Sequence, residues 1–429
     1  MGFLLTVLYL VLSYLSPADM IPWAAVYRPL VIIGGLALIA SVPALIANQF
    51  SFRAWQIYLL PGLLAGMGMS RIWMGWIGGA YDALFEFGFA GIVLYLVAFN
   101  TDSFQRFRVL FAVFVLLALS IVAAGVTAYY FGFNSENLIL KQNVYRFEGW
   151  GPVTVEPRLR WYGFLNDPND LAQNFLLAIP FLLLPWLRLQ ALSRFLLVVV
   201  PVLAILFGVY LTRSRGALIG MVALVAFAFK DKLGYFGSVI LSGGAFVGMI
   251  ALNFAGARGF SLAGSGRSRL DLWSDGLGMI KSSPLFGIGF NRFEYHADQT
   301  AHNSFLLPLA EIGLFGYFFW LAVIVVTVIE LNTLSNLDPA DESLRTLRRY
   351  SRTVRLALVA FLASSWFLSR SYTVTLYMLL GLGVALAEMA RKRGINTMPR
   401  GPFHALATTV FCELASGFLV YLMVRSRGI

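Results

Sequence analysis

Apolar runs of roughly 15 to 25 residues recur along nearly the whole chain, each long enough as a helix to cross about 30 Å of hydrocarbon. They lie near 3–16, 29–48, 54–70, 80–98, 109–131, 169–187, 195–212, 216–229, 233–254, 303–330, 353–368 and 372–389. The pattern predicts an all-α polytopic membrane protein, a single membrane domain over 1–429 with about twelve transmembrane helices. A further segment, 404–424, is apolar enough to be an extra helix, but it contains Glu413 and runs into Arg425 and Arg427, which suits a re-entrant or surface path as well. Two connectors, 132–168 and 255–302, are too long for simple turns. The first residues carry no basic stretch and no small-x-small cleavage pattern, so they read as the first transmembrane helix rather than a leader.

Composition removes the soluble alternatives. With 59% hydrophobic and 12% charged residues and a mean hydropathy of +0.77, the chain has far too much apolar side chain for a water-soluble interior to hide. The net charge of +11 does not point to nucleic acid, because the basic residues fall in short connectors rather than in one patch. Their natural partners are anionic membrane lipids and the phosphates of a lipid substrate. The one cysteine, Cys412, excludes an intramolecular disulfide, a CxxC redox pair and a thiolate zinc cluster.

Charge also sets the orientation. If the N-terminus is cytoplasmic, the inward-facing connectors and the tail at 391–400 hold sixteen Lys and Arg, against five (Arg28, Arg71, Arg213, Arg215 and Arg370) in the short outward ones. The positive-inside rule then places both long loops, and the Arg213-Ser214-Arg215 turn, on the outer, periplasmic face of an inner membrane. Two arginines within three residues on the disfavoured side either snorkel to the interface or grip an anion.

The second loop offers Arg267, Arg269, Asp271, Trp273, Asp275, Lys281, Arg292, His296, Asp298 and His302. A helix over 268–280 would set Arg269 and Trp273 one turn apart, a guanidinium beside an indole that suits a phosphate or an interfacial anchor. His302 stands where the loop enters the next apolar run. At helical spacing it shares a face with Leu309 and Gly313, opposite Glu311. A near-neutral imidazole can take a proton from a sugar hydroxyl, and it can equally be a structural hydrogen-bonding group. His296, Asp298 and His302 together also allow a metal triad, although their spacing is not that of a helical histidine pair. Gly287-Ile288-Gly289 follows no strand and reads as a tight turn rather than a nucleotide loop. In the first loop, Asp167-Pro168-Asn169-Asp170 is a helix start with Asn169 or Asp170 as its cap, and Arg160 and Trp161 could line a glycan or phosphate path.

Taken in order, Asn166-Asp167-Pro168-Asn169, Ser214-Arg215-Gly216-Ala217, Arg269-Leu270-Asp271-Leu272-Trp273, Pro284-Leu285-Phe286-Gly287-Ile288-Gly289 and His302-Asn303 with Glu311 and Gly313 resemble the bacterial O-antigen ligase and polymerase superfamily over roughly 160–330. The resemblance implies a twelve-helix glycosyltransferase that takes its glycan from an undecaprenyl-pyrophosphate donor, with no nucleotide sugar, no cofactor and no metal. It implies that Arg215 and Arg269 bind pyrophosphate, that His302 activates an acceptor hydroxyl, and that Arg160, matched by its loop alone, joins the donor site. Arg213, Trp273, Asn303 and Glu311 would support them. The acceptor is a glycan or a lipid, and a repeat-unit polymerase shares the donor chemistry of a ligase. A flippase for the same lipid-linked glycan would instead need ionisable groups at the bilayer midplane, and a non-catalytic scaffold would leave His302 dispensable.

The orientation has a direct test. In a chain lacking Cys412, a cysteine at Ser261 is expected to react with an impermeant thiol reagent in intact cells. A cysteine at Asn336 is expected to react only after permeabilisation. The opposite pattern would invert the topology.

Overall fold

Helix starts in this chain are written in short polar residues. In the computed structural model, Ser103, Asp167, Ser214 and Asp341 each accept a hydrogen bond from a backbone N–H of the turn that follows, satisfying one of the amides a helix leaves unpaired. The structure describes residues 1–21, 26–47, 50–147, 150–254, 269–338 and 341–426. Arg267 and Ser268 lie outside them.

The long helices are α1 (Gly2–Leu15), α2 (Pro29–Ala47), α3 (Gln56–Trp73), α4 (Gly78–Asn100), α5 (Phe104–Phe131), α6 (Pro168–Leu183), α7 (Val200–Thr212), α8 (Arg215–Ala251), α9 (Arg269–Ser282), α10 (Leu306–Ser335), α11 (Glu342–Ser365), α12 (Val374–Arg391) and α13 (Gly401–Arg425). Among the described residues, nine helical segments are long and apolar enough to cross a membrane, and α13 is one of them. The other expected spans are helical too. However, α6 has only 16 residues and α11 carries Arg348, Arg349, Arg352 and Arg355. The two spans expected at 216–229 and 233–254 form one helix, α8, broken at Gly234.

One feature departs from an all-α reading. The first long loop folds into an antiparallel hairpin, β1 (Ile139–Phe147) with β2 (Trp150–Leu159), registered from Ile139 opposite Leu159. Leu159 at its base is fully buried and fills the space beside Gly125 of α5. The alternating polar and apolar residues of Val153-Thr154-Val155-Glu156 carry this strand signal, which the stronger helical periodicity on either side overshadows.

At the centre, α12 is buried along nearly its whole length and packs on α4, while α10 packs on α3, α11, α12 and α13. Polar groups lock α10 at one end: Gln56 and Thr397 donate to Glu330 at 2.8 and 2.9 Å, and Arg391 pairs with the same carboxylate. The other end of α10 is broken at Gly313, whose backbone (φ 62°, ψ −174°) is a conformation open essentially to glycine alone. There the chain from Pro284 to Gly289 lies against α10, backbone to backbone. Ile288 and Gly289 donate to the carbonyls of Ala310 and Glu311, and Leu314 and Phe315 donate to those of Pro284 and Leu285. A Cβ on Gly313 would sit 2.4 Å from the Leu285 carbonyl, and one on Gly287 2.4 Å from that of Glu311.

Gly313→Ala is therefore expected to cost roughly 1–3 kcal/mol from backbone strain alone, with the clash added. It would appear as a clearly lowered melting temperature of the purified protein. Gly35→Ala, where a Cβ meets nothing within 4 Å, serves as the control. Equal melting of the two variants would contradict this seat.

Candidate functional site

The site is assembled by the segment that leads into α10. His302 precedes the helix rather than riding on it, with φ 48°, a left-handed conformation uncommon for a residue with a side chain. The helical face expected to join it to Leu309 and Gly313 therefore does not exist. The reason is Asn303, whose Oδ1 accepts from the N–H groups of Phe305 and Leu306 at 2.8 and 2.9 Å and so starts the helix after the histidine. Ser304 then ties the segment to the loop between α11 and α12. Its N–H donates to Ser365 O at 2.9 Å and its carbonyl accepts from the Ser371 hydroxyl at 2.8 Å. Its own hydroxyl donates to Leu368 O at 2.5 Å and accepts from Arg370 N at 2.7 Å.

Trp273 fixes the other side. It was expected to stand beside Arg269 at an anion or as an interfacial anchor. Instead its indole is buried and its Nε1 donates to Ala301 O at 2.9 Å, next to His302 in sequence. The Arg269 guanidinium lies over the ring of Phe367, 5.6 Å from its centre.

Around His302 the charges come from three parts of the chain. Burial, and then the Arg269 guanidinium, hold its imidazole below the usual range, while the Asp167 carboxylate pulls the other way. Asp167 caps α6, and one turn on Asp170 forms an ion pair with Arg370. Burial pushes Arg370 down to about 10, opposed by Asp167, so it remains a cation at neutral pH. Its Nε has no hydrogen-bond partner among the described residues. The turn that carries Arg215 joins the same cluster through Asn169, whose Oδ1 accepts from Ser214 Oγ at 2.9 Å and from Arg158 Nη2 at 3.1 Å. Gly216, next in the turn, packs against Leu368.

The remaining expected residues have structural ties. Arg213 stacks on Tyr210 at 3.8 Å and donates to Asn253 O at 2.7 Å, clamping the end of α7 to the end of α8. Arg160 donates to Asn137 O at 2.9 Å, so Arg158, not Arg160, is the hairpin arginine bonded to Asn169. Glu311 is buried, and backbone N–H groups of Asn291, Arg292 and Phe293 converge on its carboxyl, which makes it the anchor of that turn. His296 and Asp298 are exposed, and the His296 ring faces Arg292 O. Among the described residues no three of His, Cys, Asp and Glu converge as a metal set would require.

A cavity of about 610 Å³ opens beside the cluster, with Arg370, Ser369 and Thr300 in one wall and Phe164, Asn291 and Tyr295 among the rest. Sequence reasoning passed over Ser304, Arg370 and Asp170. The available signal for Arg370 was its position on the face where cations are disfavoured, the same signal that drew attention to Arg215.

The electrostatics predict a titration. In the protein carrying isotope-labelled histidine, the His302 resonance is expected to titrate below pH 6.5, further down in Asp167→Asn and upward in Arg269→Gln. A midpoint above 6.5, or shifts of opposite sign, would contradict the arrangement.

Residues 200–321 match the family model described as O-Antigen ligase. No curated protein matches the chain. The matched stretch runs from α7 into α10, holds Arg215, Arg269 and His302, and supports the resemblance to the O-antigen ligase and polymerase superfamily.

Proposed function

We propose that this protein is a glycosyltransferase that moves a glycan from an undecaprenyl-pyrophosphate donor to an acceptor hydroxyl at the periplasmic face of the bacterial inner membrane, with the N-terminus in the cytoplasm. The observation that carries the reading is the convergence on His302 of Arg269 from one long loop and Asp167 from the other, on a segment stitched to the Arg370 loop.

In this reaction His302, neutral at physiological pH, takes the proton of the acceptor hydroxyl as its oxygen attacks the anomeric carbon. The bond from that carbon to the lipid pyrophosphate breaks, and the electron pair leaves with the phosphate. Arg269 and Arg215 stabilise the charge that grows there, an effect typically worth several kcal/mol, and Arg215 does so from the first turn of α8, where the helix dipole also favours an anion. Asp167 steadies the imidazolium that forms. A single attack from the face opposite the leaving group inverts the anomeric centre, and the two guanidinium groups neutralise pyrophosphate without a divalent cation. The cavity beside Arg370 takes the acceptor sugar. Its aromatic rings and its amide and hydroxyl groups suit an uncharged ring, and Glu294 in its wall disfavours a second phosphate. Arg160, just past the base of the hairpin, joins the donor site.

His302→Ala is expected to lower transfer by roughly 10²–10⁴-fold while donor binding persists. Arg215→Lys and Arg269→Lys keep the charge but lose the planar fork, so transfer falls by about 100-fold with melting unchanged. His296→Ala, Asp298→Ala and chelators have little effect. Full activity in both Lys variants would leave the arginines as interfacial anchors. Equal losses at His296, Asp298 and His302 with chelator sensitivity would replace this mechanism with a metal-based one.

A further inference from the structure

A second site lies at the far end of α6. From its Asp167 cap that helix runs 16 residues, about 24 Å at 1.5 Å per residue. Beyond it, α5, α7 and α11 leave a groove of about 510 Å³. One face of α5 lines it, with Ala112, Val115, Leu116 and Leu119 at successive helical turns below Arg108. From Arg108 to Leu119 this stripe is about 16 Å long, close to half of the roughly 30 Å hydrocarbon core. The opposite wall comes from the segment leading into α7, where residues Phe195–Val199 form a π-helical turn and Leu197 and Pro201 face the groove. Such turns widen a helix locally and are frequent at binding sites.

The mouth of the groove is cationic. Arg108, Arg188 and Arg349 all stand close enough to act on Tyr350, whose ring stacks on Phe111 in the groove floor. Arg188 is paired with Glu342 at 2.8 Å, and Arg349 donates through Nη2 to Leu184 O. Arg108 makes no ion pair among the described residues. Two positive charges therefore remain uncompensated at the top of an apolar slot one leaflet deep. We propose that this groove is a binding site for an anionic phospholipid, whose phosphate lies between Arg108 and Arg349 and whose acyl chain lies along α5. A guanidinium matches a phosphodiester in shape and charge, whereas a zwitterionic head group brings a cation of its own into the cluster. The site is independent of the transfer chemistry at His302.

The test uses the purified full chain in a neutral detergent and follows its melting as single additives are titrated. Dioleoylphosphatidylglycerol is expected to raise the midpoint by several degrees, while dioleoylphosphatidylcholine, glycerol 3-phosphate and inorganic phosphate leave it unchanged. The phosphatidylglycerol shift is expected to vanish both in Arg108→Gln/Arg349→Gln and in Ala112→Trp, which fills the slot, and to persist in His302→Ala. Native mass spectrometry of the unaltered protein gives a readout that needs no variant: phosphatidylglycerol should stay bound at collision energies that strip phosphatidylcholine. Equal shifts with both lipids, a shift with glycerol 3-phosphate alone, or a shift that survives Ala112→Trp would each overturn the proposal. The last of these would mean attraction of anionic lipid to interfacial charge in general.

Discussion

Ser304 commits its N–H, its carbonyl and both functions of its hydroxyl to four backbone or hydroxyl groups at the end of α11 and in the loop between α11 and α12, from Ser365 to Ser371. Buried polar groups of this kind contribute about 1 kcal/mol each when paired and cost more when left open, so the two segments hold a single relative position. Everything in the site depends on that position. His302 is two residues before Ser304, and Arg370 is bonded to Ser304 through its backbone. The ion pair from Arg370 to Asp170 then carries the constraint to the start of α6, and Asn169 passes it on to the turn of Arg215. Removing either partner of a buried ion pair typically costs about 3–5 kcal/mol, because the other charge is left without compensation.

This arrangement explains how a lipid-embedded protein keeps a charged cluster in place. The elements that meet around His302 are not one helix face but the ends of helices and the turns between them. There backbone groups are available for bonding and side chains can reach water and head groups. The kink at Gly313 and the contact with Gly287 serve the same end, since they seat the turn held by Glu311 against α10 and leave the cavity beside Arg370 open between that turn and α1.

Much of the architecture is legible in hydrophobic periodicity, because lipid demands long apolar helices, and among the described residues nine segments are long and apolar enough, while α6 is short, α11 is rich in arginine and the spans expected at 216–229 and 233–254 form one broken helix. The hairpin was not legible, since the four-residue alternation of Val153 to Glu156 is a weak signal between strong helical ones. In the site, Arg215, Arg269 and His302 stand out as costly residues near a membrane surface, and the structure joins their segments. Their supports were harder to read. Trp273 looks like an interfacial anchor until the fold shows its N–H occupied by Ala301, and Ser304 is an ordinary serine until four long-range bonds are drawn to it. The helix start at 167–170 was legible, but its cap is Asp167 rather than Asn169 or Asp170, and the second effect of Asp167, on His302, acts across 135 positions that no local pattern encodes.

The central claim is that this cluster transfers a glycan by one direct displacement from a lipid pyrophosphate. The most direct measurement is to incubate the purified protein with a lipid-linked glycan of known anomeric configuration and candidate acceptors, and to determine the new linkage in the product by NMR. The account predicts a transferred glycan with inverted configuration and free lipid pyrophosphate as co-product. Retained configuration, or an intact donor with every acceptor offered, would contradict it.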